Sequence, residues 1–250
     1  MKVRGLDWVG TRTDHFPATV DFFGNTVGLP IGARRGEFVR LDLPNGSCVE
    51  VFGPADSDHL YFTTGPAVGF WVDDIEAARH DLLEHRTELL GSTGGEAGSV
   101  RWQHFRGPDG YVYEVVENPD GHAEGNPVGP LGVTHLAWVG TRTSHYAETV
   151  AFFGNVLGLD VAEDLPELTE FHLPDGGAVE VFLPGTGMDH PHFTTGPVPG
   201  LGVRDIFAAV EGLRARNVRL LGLKLGETGG WAHFRAPDGS VYEVKGPRRG

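Results

Sequence analysis

The chain has 250 residues with 38 Gly, 17 Pro and 40% hydrophobic side chains, enough for two ordinary domains, and no apolar run approaches the roughly 20 residues of a membrane-spanning helix. A formal net charge of −14, divided as −10 on residues 1–125 and −4 on 126–250, argues against binding to a nucleic-acid phosphate backbone. A single cysteine, Cys48, excludes an internal disulfide framework, and the charges of MKVRGLDWVG are followed by no apolar stretch, so a cytoplasmic protein is expected.

In chain order, a short strand is predicted at Leu6–Gly10 and a helix over Ala18–Val27, stopped by Gly28. Strands Phe38–Leu43 and Ser47–Phe52 then flank the turn Pro44-Asn45-Gly46. A second unit follows, with a strand at Val68–Val72 and a helix N-capped by Asp74. That helix carries Ile75, Ala78 and Leu82 at helical spacing, and a hairpin around Pro108-Asp109-Gly110 closes the unit. The same order then begins again, with a helix over Glu148–Leu157 stopped by Gly158 and a later helix N-capped by Asp205. Trp8–Thr13 returns as Trp138–Thr143, Phe22–Asn25 as Phe152–Asn155, Val49–Phe52 as Val179–Phe182, and Phe62–Pro66 as Phe193–Pro197. His104–Arg106 returns as His233–Arg235, which completes a tandem duplication. Residues 1–117 form the first repeat, 133–250 the second, and the Pro- and Gly-rich stretch 118–132 reads as a linker.

The motifs Phe22–Leu29 and Phe152–Leu159, Val72–Ile75 and Val203–Ile206, and Phe105–Glu114 and Phe234–Glu243 resemble the vicinal-oxygen-chelate superfamily, the glyoxalase/bleomycin-resistance/dioxygenase group. The resemblance implies an α+β fold of four βαβββ modules paired into two open, eight-stranded, cup-shaped barrels. It also implies that metal ligands come from the first and fourth strands of each module. Mapped onto this chain, those positions are His135, Glu180, Val198 and Glu243 in the second repeat, and Gly5, Glu50, Ala67 and Glu114 in the first. The expected site is therefore a divalent ion (Fe, Ni, Zn or Mn) held by His135, Glu180 and Glu243, with Glu180 or Glu243 doubling as general base. A metal-free cup, with those carboxylates partnered by Arg or Tyr, is the alternative. The first repeat reads as a degenerate partner. Strand alternation places Asp7 with Glu50 and Glu114, and their repulsion is relieved by a bound cation or positively charged ligand or, the favoured reading, if one or more turns to solvent or pairs with an Arg.

Within reach of the missing fourth ligand stand His172, His190 and His192, which alternation cannot assign to a face. His104 and His233 read as structural, Arg12 and Arg142 as surface partners of nearby carboxylates, and Cys48 as a small packing residue. Trp8 and Trp138 alternate away from the cup toward the helices. With no phosphate loop, nucleophile elbow or paired cysteines, nucleotide binding, serine hydrolysis and structural zinc have no support. A metal-dependent lyase or isomerase acting on a small molecule with vicinal oxygens is expected. A ring-cleaving dioxygenase is disfavoured because the mapped positions offer one imidazole. The alternative is a protein without chemistry that holds a cationic aromatic drug, which the acidic first half, Trp71 and Trp102 would suit. The resemblance leaves open pairing of modules within one chain or between two chains of a homodimer.

Overall fold

The computed structural model describes residues 1–117 and 126–249. A strand, a helix and three strands recur four times. The first module comprises β1 (Val3–Arg12), α1 (Phe16–Asp21), β2 (Ile31–Arg35), β3 (Phe38–Asp42) and β4 (Cys48–Phe52). The second comprises β5 (Ala67–Val72), α2 (Ile75–Glu84), β6 (Glu88–Gly94), β7 (Arg101–Arg106) and β8 (Val112–Glu117). Across the linker follow β9 (Val133–Arg142), α3 (Tyr146–Ala151), β10 (Asp160–Asp164), β11 (Leu168–His172) and β12 (Ala178–Phe182). The last module is β13 (Val198–Val203), α4 (Ile206–Ala215), β14 (Leu220–Leu225), β15 (Gly229–Arg235) and β16 (Val241–Pro247).

Local chemistry explains most of these boundaries. Asp74 and Asp205 cap α2 and α4, each accepting from two backbone amides of the first turn. The predicted helices Ala18–Val27 and Glu148–Leu157 are short α-helices that widen into π turns at Phe22–Thr26 and Phe152–Leu157. Gly28 (φ +85°) and Gly158 (φ +74°) follow in the left-handed region that glycine tolerates. The outer strands β2, β6, β10 and β14 were not evident in the element pattern, because they are exposed or half-buried sheet edges without apolar alternation.

The strands form two open eight-stranded sheets. The first runs β14-β15-β16-β13-β1-β4-β3-β2 and the second β10-β11-β12-β9-β5-β8-β7-β6. Inside each, two modules meet through an antiparallel pair: β1 with β13, where Leu6 faces Leu201, and β5 with β9, where Val68 faces Val139. Each sheet therefore joins one module from each repeat, and neither repeat closes a cup by itself. The helices pack on one side of both sheets in a single core. Ile75, Ala78 and Leu82 lie there with Ile206, Val210 and Leu213, among Phe23, Phe153, Phe70 and Phe105. The opposite faces carry smaller clusters, around Trp8, Phe52 and Phe62 in the first sheet and around Trp138, Phe182 and Phe193 in the second. Of the expected linker, residues 118–125 lie outside the described residues. The remainder is anchored at its end, with Leu131 buried and a bridge between Val128 and Val133. No described helix is long and apolar enough to cross a membrane.

Candidate functional site

Four hairpins of the Pro-Asn/Asp-Gly type deliver four equivalent glutamates. Topology sorts them into pairs: Glu50 on β4 and Glu243 on β16 in the first sheet, Glu180 on β12 and Glu114 on β8 in the second. This overturns the expected ligand set. His135 and Glu180 share the second sheet, but Glu243 belongs to the first, because β16 pairs with β13 and β13 with β1. His135 is buried on β9 beside Thr134, with Nδ1 3.0 Å from the Thr134 hydroxyl and its ring 6.0 Å from Trp71. The carboxylates grouped in the first repeat separate as well. Asp7 pairs with Arg4 at 2.7 Å, Glu50 remains in the first sheet, and Glu114 lies in the second.

Each cup repeats one arrangement. A tryptophan (Trp8 or Trp138) hydrogen-bonds one glutamate (Glu50 or Glu180), and a histidine (His233 or His104) stands against the other (Glu243 or Glu114). The tryptophans occupy the cup side, contrary to simple alternation. Pairing of β5 with β9 slips in register between Gly69 and Phe70, opposite Trp138 and Leu136, and this irregularity turns the indole inward. Gly140 makes room for it: a Cβ there would fall 1.9 Å from the Trp138 ring, as one on Gly10 would fall 2.0 Å from that of Trp8.

The second cup encloses a cavity of about 370 Å³. Trp71, Trp102, Trp138 and Phe182 line it together with Leu168, Val116 and Met188, and its polar groups include Glu114, Glu180, Glu170, His104 and His190. Burial pushes the Glu180 carboxyl up to about 8, against the opposing hydrogen bond from Trp138. Glu114 is driven well above the usual carboxylate range by burial, and burial takes His104 down to about 3. Their atoms, His104 Nε2 and Glu114 Oε2, are 2.7 Å apart without hydrogen-bond alignment, and burial disfavours the charged form of each.

Sequence reasoning left His190 and His192 unassigned, since they lie in the loop after β12. The loop is anchored by Asp189, which receives Arg142 Nη2 at 2.9 Å and the Gly185 amide at 2.8 Å. The surface role expected for Arg142 is thus met, whereas Arg12 bonds the carbonyls of Pro54 and Asp56 rather than a carboxylate. The anchored loop carries both imidazoles over His104, with ring centroids at 5.0 Å and 4.9 Å. His104, expected to be merely structural, is thereby one of three imidazoles whose ring nitrogens lie within 4.8 Å of one another. The equivalent loop of the first repeat brings His59 and Tyr61 to His233, and the Tyr61 hydroxyl lies 2.9 Å from His233 Nδ1. Elsewhere, His172 sits at 3.1 Å from Glu170, and buried Cys48 has its thiol pushed up to about 11 by burial, as suits a packing residue.

Residues 135–244 match the profile of the Glyoxalase/Bleomycin resistance protein/Dioxygenase superfamily. Among solved structures, a "putative dioxygenase" from Bacillus subtilis subsp. subtilis str. 168 aligns with 100% of this chain and 87% of its own, at 14% identity and a TM-score of 0.75. Glyoxalase I from Zea mays aligns with 97% of this chain and 92% of its own, at 16% identity and a TM-score of 0.67. At these identities the likeness establishes a shared fold. Comparison with curated proteins gives no match.

Proposed function

We propose that the second cup binds a small molecule carrying adjacent oxygens and moves a proton at the carbon beside its carbonyl, as a divalent-metal-dependent lyase or isomerase. The observation that carries this reading is Glu180, a carboxyl at the wall of a largely apolar cavity, held by the Trp138 indole and poised near pH 8. Near neutrality most of it is protonated and able to donate, while the ionised fraction is a far stronger base than an exposed carboxylate. Trp71, Trp102 and Trp138 exclude water and present flat faces against which a small planar molecule packs. The residues also suit a metal, since His104 Nε2 and His192 Nε2 are buried without a hydrogen-bond partner. A bound divalent ion would supply polarisation of the substrate oxygen.

The test incubates the protein in D2O with a panel of small α-hydroxy and α-keto carbonyl compounds and follows C–H exchange by NMR. Exchange of at least one compound is expected, and Glu180→Gln should abolish it while retaining binding measured by thermal shift. No exchange with any compound, or exchange indifferent to Glu180, overturns the proposal. The three tryptophans favour a second reading, a carrier of a flat cationic molecule. Saturable binding of such compounds, without exchange of any carbonyl compound, selects it.

A further inference from the structure

We infer that the second cup holds a divalent transition-metal ion on His104, His190 and His192, rather than on the strand-end positions that the fold resemblance singles out. The inference deepens the proposed function but stands on separate observations. The strand ends of this cup offer Glu180, Glu114 and His135 with Ala67 at the fourth place, and the cavity is lined by the two glutamates but not by His135. Three imidazoles, by contrast, converge at its wall, one from β7 of the first repeat and two from the loop after β12 of the second. Their donor nitrogens lie within 4.8 Å of one another. An ion with metal–nitrogen bonds of about 2.1 Å would set tetrahedral donors about 3.4 Å apart, so the rings need to close by roughly an ångström.

Two observations make this more than a packed cluster of rings. Nε2 of His192 is buried without a hydrogen-bond partner, and Nε2 of His104 is buried against Glu114 without alignment to it. Buried nitrogens are seldom left so unless something satisfies them. The other cup supplies an internal comparison. There Tyr61 takes the place of His192, and its hydroxyl bonds the ring of His233 directly. The first cup thus gives Nδ1 of its histidine a protein partner and leaves Nε2 unaligned against Glu243, whereas the second presents a third imidazole in the place of Tyr61.

The ligand chemistry narrows the ion. Three neutral nitrogens suit Zn2+, Co2+, Ni2+, Cu2+ or Fe2+ and disfavour Mg2+ and Ca2+, which seek oxygen. Since His104 and His190 also line the cavity, a fourth coordination position faces the space where a small molecule would sit.

The experiment strips the full chain with chelator and titrates it with Zn2+ by calorimetry and with Co2+ by visible absorption. One ion per chain is expected, with the intense absorption of low-symmetry cobalt. His190→Ala and His192→Tyr, the latter copying the first cup, should each weaken binding at least about 100-fold. His135→Ala should leave it unchanged, and circular dichroism of every variant separates lost ligation from lost folding. Absence of stoichiometric binding overturns the inference, as does binding that survives both loop variants or disappears in folded His135→Ala. If Glu180-dependent exchange persists in protein that binds no metal, the metal site falls together with the metal dependence of the reaction, and proton transfer by Glu180 stands. If the ion binds but no compound exchanges, only the proposed reaction falls.

Discussion

Glu180 and Glu243 hold equivalent places on β12 and β16, and both carboxyls are pushed up to about 8, chiefly by burial. The folded-state value lies above that of the unfolded chain, so the stabilisation from burying a neutral carboxyl is complete below about pH 4.5. It is lost as pH rises through about 8, where the folded protein must ionise a group in low dielectric or open. Replacing Glu243 with Gln removes that penalty while keeping a group able to donate to His233 Nε2, 3.0 Å from the present carboxylate oxygen. Glu243→Gln should therefore raise Tm by several degrees at pH 9, an effect on the order of a few kcal/mol, and change it little at pH 5. Calorimetric melts at the two pH values measure the difference. In the second cup the Trp138 indole reports directly on Glu180. Tryptophan fluorescence should titrate with a midpoint near 8, and that transition should vanish in Glu180→Gln.

At the scale of the strand, the position of Trp138 shows where pattern reading stops. The duplicated order of strand, helix and hairpin, the Asp74 and Asp205 caps and the Gly28 and Gly158 stops were legible, because each rests on a short-range rule. Alternation fails at Trp138, because a register irregularity between β5 and β9 reverses the face of every residue beyond it. His190 and His192 were invisible for a related reason: they sit in a loop, where no period relates neighbours, and long-range and turn contacts such as Arg142–Asp189 and Gly185–Asp189 fix them. Gly140 is the residue that permits the indole to lie inward. Gly140→Ala should force the ring away from Glu180, cost about 1–3 kcal/mol by overpacking, and shift the fluorescence midpoint upward because the indole hydrogen bond is lost. Gly10→Ala, which crowds Trp8 in the other cup, should cost a similar amount and leave that midpoint alone.

Across the whole molecule, the pairing of modules could not be read from the repeat. Each module presents its first strand to a partner, and two near-identical repeats offer interchangeable partners, so local sequence favours no pairing over another. The fold resolves the ambiguity by crossing: β1 takes β13 and β5 takes β9. The Phe-Thr-Thr-Gly-Pro segments meet where the halves cross, with Gly65 packed on the Pro197 carbonyl and Gly196 on that of Pro66. One consequence can be measured. The second cup draws His104 and Glu114 from the first repeat, and Glu180, His190 and His192 from the second. A fragment of residues 1–117 and one of 126–250 each hold only part of this set, and each exposes two unpaired strand edges of the kind that invite association. Neither fragment alone should give the one-ion cobalt spectrum of the full chain, and chromatography should show each one self-associating. Mixing the two in equal amounts should restore a one-to-one complex with that spectrum, because the crossed pairings need both fragments and no peptide bond between them. A fragment 126–250 that is monomeric and binds cobalt as the intact protein does would show that the second repeat builds the site without the first.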